Sequence, residues 1–196
     1  VRTKIVGKQD PNKTAQAERV QNEMNYLLTE EMSEYRDEME QMLFKLPIAG
    51  SAFKKVYYDP LMERPSAMFV PSEDFVASYG ASDLKTCPRY THVMKKTANE
   101  VLQLQVNGFY KEGELPEPTP DYSDIQEKYD ELDGEEAVIE DDDRHTILEM
   151  HVDLNLEGQF EDPDGIARPY VVTVDKSSST ILAIRRNWYE EDEKKR

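Results

Sequence analysis

The chain has 196 residues, of which 38% are hydrophobic, so it can bury a core in one domain or two small ones. Its 41 acidic residues outnumber 24 basic ones, and the net charge of -17 argues against tight, sequence-specific binding of nucleic acid. One cysteine and three histidines exclude an internal disulfide and a standard structural zinc site, and no apolar run approaches the roughly 20 residues of a membrane span.

A long amphipathic helix is predicted near the N-terminus, because apolar residues recur at steps of three and four over residues 20–46. Asn12 or Thr14 is expected to cap its start. Pro47 followed by Gly50 is expected to end it, since proline breaks a helix and glycine suits the position after one. The sequence therefore predicts a single helix before the first strand.

Methionine is frequent on the apolar stripe of this helix. A methionine-rich stripe usually fills a core, but it can also form an adaptable surface for a partner, because the unbranched side chain fits irregular contacts. The second role makes three methionines candidates for contacts between subunits. These candidates are Met24, Met32 and Met39.

Residues 53–78 form the most distinctive stretch of the chain. Residues 53–59 are rich in aromatic and β-branched side chains, which is typical of a half-buried strand. Asp59 and Pro60 open a turn, and residues 67–71 form the returning strand, which ends at a proline that cannot donate to a ladder. The stretch is therefore predicted to be a β-hairpin.

The next part of the chain is predicted to contain a strand over residues 89–94 and a short helix over residues 97–106. Thr97 and Glu100 have the spacing of a capping box, which fixes the start of this helix. The side chains expected to face inward are Val101, Leu102 and Val106.

Two loops are predicted in the middle of the chain. Residues 108–120 are rich in Gly, Glu and Pro, which favours a surface excursion. Residues 133–144 are dominated by acidic side chains, whose mutual repulsion favours a solvated, mobile loop. A short amphipathic helix is expected between them, over residues 122–132.

The last third is predicted to be β. Residues 146–156 alternate between polar and apolar side chains, which indicates a strand with one buried face that includes Leu148, Met150 and Val152. Residues 169–175 and 180–187 read as a hairpin. The predicted fold class is therefore α+β, with helices packed on antiparallel sheet, in a single domain over residues 1–196.

A loop after the first of these strands has part of the spacing of a calcium-binding loop, with oxygen ligands at alternate positions and a glycine for the turn. The candidate ligands are Asp153, Asn155, Glu157 and Asp164. The match is partial, because the segment leaves a strand and its last ligand is Asp rather than Glu. A polar loop between two strands explains the same residues.

Two histidines, His145 and His151, are six residues apart on the predicted strand, so both face one side, near Glu149 and Asp153. Imidazole and carboxylate groups together can bind metal or transfer protons. An exposed polar strand face explains the pattern as well. The sequence contains no phosphate-binding glycine loop, nucleophile elbow or H-E-x-x-H motif, so we expect no enzyme activity and no cofactor.

Trp188 and Tyr189 are the remaining interface candidates, since large aromatic side chains often anchor contacts between proteins. They could equally complete the core. The chain begins with Val1 and stops shortly after these residues, and we expect it to be an internal fragment of a longer protein.

The order of these pieces resembles the portal proteins of tailed bacteriophages, in particular the P22-like type of short-tailed phages. The resemblance covers roughly residues 19–187, and its motifs are structural rather than catalytic. The segments that carry it are VQNEMNY at 20–26, GSAFKKVYYD at 50–59, VPSEDF at 70–75, RYTH at 89–92 and ILAIRRN at 181–187.

The resemblance implies a structural subunit of a dodecameric ring at one capsid vertex, through which terminase packages DNA and DNA later leaves. Within such a subunit, this stretch looks like the wing region that precedes the stem. The implied partners are other copies of the chain, capsid protein, terminase, tail and head-completion proteins, and DNA in transit. The implied location is the virion, with assembly in the host cytoplasm. A calcium-dependent binding module is the alternative function, and a metal or acid/base enzyme around His145 and His151 is a further one.

Overall fold

The computed structural model describes residues 1–8, 10–59, 61–117, 144–158 and 165–188. Within them it contains three helices and antiparallel sheets of two and five strands, so the predicted α+β fold class is confirmed. The chain packs as two compact units, Val1–Glu73 and Asp74–Arg196, each of which is considered by itself. The single domain over residues 1–196 stays a prediction. No described helix is both long enough and apolar enough to span a membrane.

The first unit begins with a helix of 21 residues that is interrupted before the second helix starts. Helix α1 spans Pro11–Tyr26 and continues as a π-helical turn, Leu27–Glu31, and helix α2 spans Tyr35–Ala49. The prediction of one helix over residues 20–46 was therefore wrong. The break at Met32 buries its side chain and brings Glu34 to the hairpin, and neither effect is visible in a local pattern.

The predicted helix ends are correct at one end only. Gly50 follows α2 in the left-handed conformation, with φ of 75°, and its amide donates to the Leu46 carbonyl, as expected of a glycine at this position. At the start, the Asp10 side chain accepts a hydrogen bond from the Asn12 amide, so Asp10 is the cap, rather than Asn12 or Thr14. Pro47 lies in the last turn of α2 instead of ending it.

The predicted hairpin is present in the first unit. Strand β1 spans Phe53–Asp59 and strand β2 spans Arg64–Val70, and they pair antiparallel with Val56 opposite Ala67. Helix α2 packs on β2, whose Ala67 is almost fully buried. The hairpin and α2 therefore form the core of this unit, whereas none of the residues described in α1 is buried.

The second unit is built on a five-stranded antiparallel sheet in the order β3-β4-β5-β6-β7. The sequence predicted four of its strands and missed the short edge strand β3. The strands are β3 Phe75–Ala77, β4 Arg89–Thr97, β5 Arg144–Leu154, β6 Arg168–Asp175 and β7 Ile181–Arg186. Helix α3, Ala98–Val106, follows β4, and its predicted capping box of Thr97 and Glu100 is confirmed.

A hydrophobic core of the second unit lies between α3 and one face of the sheet. Its members are Val101, Leu104, Tyr110, Ile147 and Leu182. The prediction for the inward face of α3 was correct for Val101 and wrong for Leu102 and Val106, which are exposed. The positions that α3 buries are 101, 104 and 105, which are neighbours on one face of a helix.

Two loop residues belong to this core although a surface loop was predicted over residues 108–120. Tyr110 is buried and Phe109 packs against the core. The Gln105 side chain donates to the carbonyls of Lys111 and Gly113, which holds the described start of the loop against α3. Residues 118–120, the predicted helix 122–132 and the acidic run up to residue 143 lie outside the described residues.

The first residues of strand β5 are buried on the side that was predicted to be polar. His145, which pairs with Asp175, and Ile147, which packs against α3, are its most buried residues, whereas Asp153 on the same side is exposed. Leu148, Met150 and Val152 on the opposite side are half-buried, beside the buried Val172 and Tyr170 of β6. The alternation of the strand was thus predicted, but the burial of its polar side at His145 and Ile147 was not. That burial depends on contacts with α3 and Asp175, about which the strand pattern contains no information.

Candidate functional site

The first unit contains a polar cluster where α2 meets β2. Nη1 of Arg64 lies 2.9 Å from Oε2 of Glu34, an ion pair between β2 and the start of α2. One turn along α2, the Glu38 carboxylate accepts a hydrogen bond of 2.5 Å from the Phe69 amide of β2. Burial raises the pKa of Glu34, but its own backbone amide, Arg64 and the Ala67 amide together lower it. These carboxylates therefore act as charged acceptors for a strand edge.

Lys54 of β1 lies beside this cluster. Its Nζ is 3.7 Å from the centroid of the Tyr35 ring, a cation–π contact. Burial lowers the pKa of Lys54, and the nearby charge of Glu38 opposes that change. The contact fixes the first turn of α2 against the hairpin, and it has the character of a structural contact rather than a catalytic one.

An uncovered apolar surface lies at the C-terminal end of α2. Phe44 is 74% exposed and Ile48 is 80% exposed, and Leu43 beside them is also exposed. Phe44 and Ile48 are four residues apart, so they are neighbours on one face of the helix. Of the three predicted methionine contacts, Met24 is exposed, Met39 is half-buried and Met32 is buried.

In the second unit, His145 pairs with a buried aspartate. Its Nδ1 is 3.5 Å from Oδ1 of Asp175, and both side chains are almost fully buried. The other oxygen of Asp175 accepts hydrogen bonds from the Ser177 hydroxyl at 2.7 Å and from the amide and hydroxyl of Ser178. Burial raises the pKa of Asp175, but these donors and His145 outweigh it and lower the pKa.

His151 belongs to a different cluster. Its Nε2 is 3.4 Å from Oε1 of Glu149, and its ring stacks on Tyr90 with the ring centroids 4.6 Å apart. Burial raises the pKa of Tyr90, and the charge of Glu149 adds to that effect. The structure therefore does not bring His145 and His151 together, and each pairs with a different carboxylate. Residues six apart on a strand are separated by about 20 Å, which accounts for this.

A cavity of about 320 Å³ opens beside His151. Its lining includes Tyr90, Asp153, Tyr170 and Cys87, the one cysteine of the chain. The pKa of Cys87 is lowered, mainly by a hydrogen bond from the backbone of Ser78. The Cys87 thiol also lies 3.0 Å from the Arg89 carbonyl. A base adjacent to the thiol, which nucleophilic catalysis would need, is not among the hydrogen bonds of the described residues.

Arg185 anchors the end of α3 and the loop after it. Its guanidinium lies 3.4 Å from the centroid of the Phe109 ring and donates to the Phe109 carbonyl. Burial raises the pKa of Tyr110 to about 12, and Glu149 adds to this, while Arg185 opposes it. Burial lowers the pKa of Arg185 itself. Arg185 therefore has the surroundings of a packing residue.

The described calcium candidates lie at and beyond the end of β5. Asp153, Asn155 and Glu157 are all exposed, and Asp164 lies outside the described residues. No group of three or more His, Cys, Asp or Glu side chains that could hold a metal ion occurs in the described part of the chain. The calcium loop and its alternative function stay predictions.

Trp188 is half-buried and packs within the second unit. Its ring meets Tyr170 edge to face, with the centroids 5.0 Å apart, and the Arg168 guanidinium lies 5.8 Å from its centroid. This is the packing role that the sequence left open beside the interface role. Tyr189 lies outside the described residues.

No protein-family model matches the chain, and no curated protein matches it significantly. The residues that sequence reasoning missed are Glu34, Glu38, Asp175 and Arg185, all of which contact groups far along the chain or backbone groups in a turn. A single sequence contains no signal for such contacts beyond a charged residue in an otherwise apolar segment.

Proposed function

We propose that the chain is a non-enzymatic structural part of a bacteriophage portal protein, in which it assembles with further copies into a ring. Its implied partners are capsid protein, terminase, tail and head-completion proteins, and its implied location is the virion. The observation that carries the proposal is the uncovered apolar surface at the end of α2, considered together with the resemblance of five sequence segments to portal proteins.

The physical argument rests on the cost of leaving such a surface in water. Phe44 and Ile48 each expose most of a large apolar side chain, and burying one is worth about 1.5–3 kcal/mol. Contiguous exposed apolar patches commonly mark contacts with other proteins. In a ring of identical subunits, this surface of one copy would bind a different surface of the next copy.

The acidic charge agrees with this role. A chain with net charge of -17 repels DNA phosphates, so DNA passing through the ring would not be retained by counterion release. The polar clusters support the same conclusion, because Glu34, Asp175 and Arg185 each satisfy a backbone or packing contact. The work of the chain would then be burial at subunit interfaces rather than chemistry.

Electron microscopy of the full-length protein tests the proposal. We expect rings of uniform subunit number, and we expect Phe44→Asp to weaken them because it places a charge in the contact. Val106→Asp is the matched control, since Val106 is an equally exposed apolar residue on α3. Persistent monomers at high concentration would refute the ring. Intact rings with Phe44→Asp would refute the role of α2 in it.

A further inference from the structure

The two edges of the β1–β2 hairpin differ in whether they can accept another strand. The sheet of the first unit has two strands in the described part of the chain, so each strand has one outer edge. An outer edge presents amide and carbonyl groups that pair readily with another chain. A two-stranded sheet is also marginal in stability, and further strands strengthen it.

The outer edge of β2 is obstructed by side chains of α2 and by a proline. The Phe69 amide donates to Glu38, which shows that residue 69 and its alternate neighbours 67 and 65 point their backbone groups away from β1. Position 65 is proline, which has no amide hydrogen, and the Ala67 amide lies near the Glu34 carboxylate and helps to lower its pKa. A third strand would therefore find no donor at position 65 and would have to displace Glu38 at position 69.

Among the strands that the structure describes, none pairs with the outer edge of β1. In the register of the hairpin, Lys54, Val56 and Tyr58 lie opposite residues 69, 67 and 65, so their backbone groups also point outward. All three retain their amide hydrogens. Val56 is 69% exposed and Tyr58 is 63% exposed, which leaves this edge accessible to a strand.

We propose that the β1 edge binds the β1 edge of a second copy of this chain, antiparallel, with Val56 opposite the same residue of the other copy. This register places the outward-pointing residues opposite one another, so that Lys54 of each copy lies opposite Tyr58 of the other. Each such pair exchanges two hydrogen bonds, so about six form across the contact. The two hairpins then make one four-stranded sheet.

The side chains of β1 are self-complementary in this register. On one face, Val56 meets Val56, and Tyr58 lies opposite Lys54, whose Nζ stays over the Tyr35 ring of its own chain, so that Tyr58 meets the aliphatic part of this side chain. On the other face, Lys55, which lies over the Tyr57 ring of its own strand, is opposite Tyr57 of the other copy and diagonal to both Asp59 and Lys55 of that copy. No like charges lie directly opposite, which favours a second copy over a strand of unrelated sequence.

This contact is separate from the proposed ring. Pairing of one strand with itself is two-fold symmetric, whereas neighbours in a ring use two different surfaces. An experiment that refutes the ring would therefore not refute this contact, and one that refutes this contact would not refute the ring.

Residue-resolved amide hydrogen exchange of the 196-residue chain, measured from micromolar to millimolar concentration, tests the contact. We expect exchange at residues 54, 56 and 58 to slow by about tenfold or more as concentration rises, because these amides become hydrogen-bonded. The amides of residues 55 and 57 already pair with β2, so their exchange should not depend on concentration. The same concentration dependence of exchange in both sets of amides would overturn the proposal.

Sedimentation of two variants provides a second readout. Val56→Pro removes an outward amide without removing a bond to β2, and we expect it to abolish the dimer. Val56→Thr keeps the amide and the branched side chain, and the dimer should persist. A dimer that survives Val56→Pro, or a monomer at every concentration, would overturn the proposal. If Val56→Pro unfolds the hairpin, Lys55→Glu replaces it, because it places a negative charge near Asp59 of the other copy.

Discussion

The two units differ in where their apolar side chains lie. The second unit encloses Ile147 and Leu182 between α3 and its sheet, so its stability comes from its own core. The first unit buries Ala67 and Phe69 of β2 under α2, but it leaves Phe44 and Ile48 exposed and buries no described residue of α1. The second unit therefore encloses the larger core of its own, although it too exposes apolar side chains, among them Leu102 and Val106 of α3.

The largest effect should come from the core of the second unit. We expect Leu182→Ala to lower its free energy of unfolding by about 2–5 kcal/mol, because the lost side chain leaves a cavity. Leu182 is almost fully buried, while its neighbour Ile181 is exposed. Ile181→Ala is therefore the control and should cost less than about 0.5 kcal/mol. Thermal unfolding followed by circular dichroism measures both, and equal losses would contradict a core at Leu182.

A pH-dependent effect should follow from Asp175. Its pKa is lowered in the folded state, so its charged form adds stability above the unfolded pKa of about 3.9, and this is lost as the pH falls through the folded pKa. We expect Asp175→Asn to cost about 1.5–3 kcal/mol at neutral pH.

The measurement for Asp175 is denaturant unfolding of both proteins from neutral to acidic pH. The difference between them should be largest above about pH 4 and should shrink on acidification. Asp153→Asn, which alters an exposed carboxylate, should show a small difference throughout. A constant difference across this range for Asp175→Asn would show that its charge is not what stabilises the turn.

The smallest effect should come from the edge of the first unit. Glu38→Ala removes the acceptor of the Phe69 amide, and we expect a loss of about 1 kcal/mol, since water can replace part of the bond at an edge. Glu38→Gln retains an acceptor and should lose less, and Glu40→Ala alters an exposed residue of the same helix. Hydrogen exchange at Phe69 measures the change. If Glu40→Ala accelerates it equally, the effect is on the helix and not on the edge.

Local rules predicted the parts of the fold that depend on neighbours in sequence. The bounds of β1 agree with the prediction because its aromatic and branched residues favour a strand by themselves. The capping box of Thr97 and Glu100 was predicted for the same reason, since both of its hydrogen bonds lie within four residues.

Contacts over long separations could not be predicted. The break at Met32 places Glu34 beside Arg64, a residue 30 positions away. No proline or glycine near Met32 in the sequence indicates this break. The burial of His145 and Ile147 at the start of β5 was missed, because it depends on Asp175 and on α3 and not on the alternation of the strand. Among the site candidates, the two histidines were predicted to share a strand face, but their separate carboxylate partners depend on register and turn geometry.

The edge-to-face packing of Trp188 on Tyr170 has a practical consequence. Trp188 is the only tryptophan in the sequence, and it lies in the second unit, so intrinsic tryptophan emission reports on that unit alone. Within the described residues, in contrast, most of the helix lies in α1 and α2 of the first unit, so the far-ultraviolet helix signal of those residues reports mainly on that unit. The chain thus contains its own pair of spectroscopic probes, and their melting curves can show whether the two units unfold together or in turn without any added label.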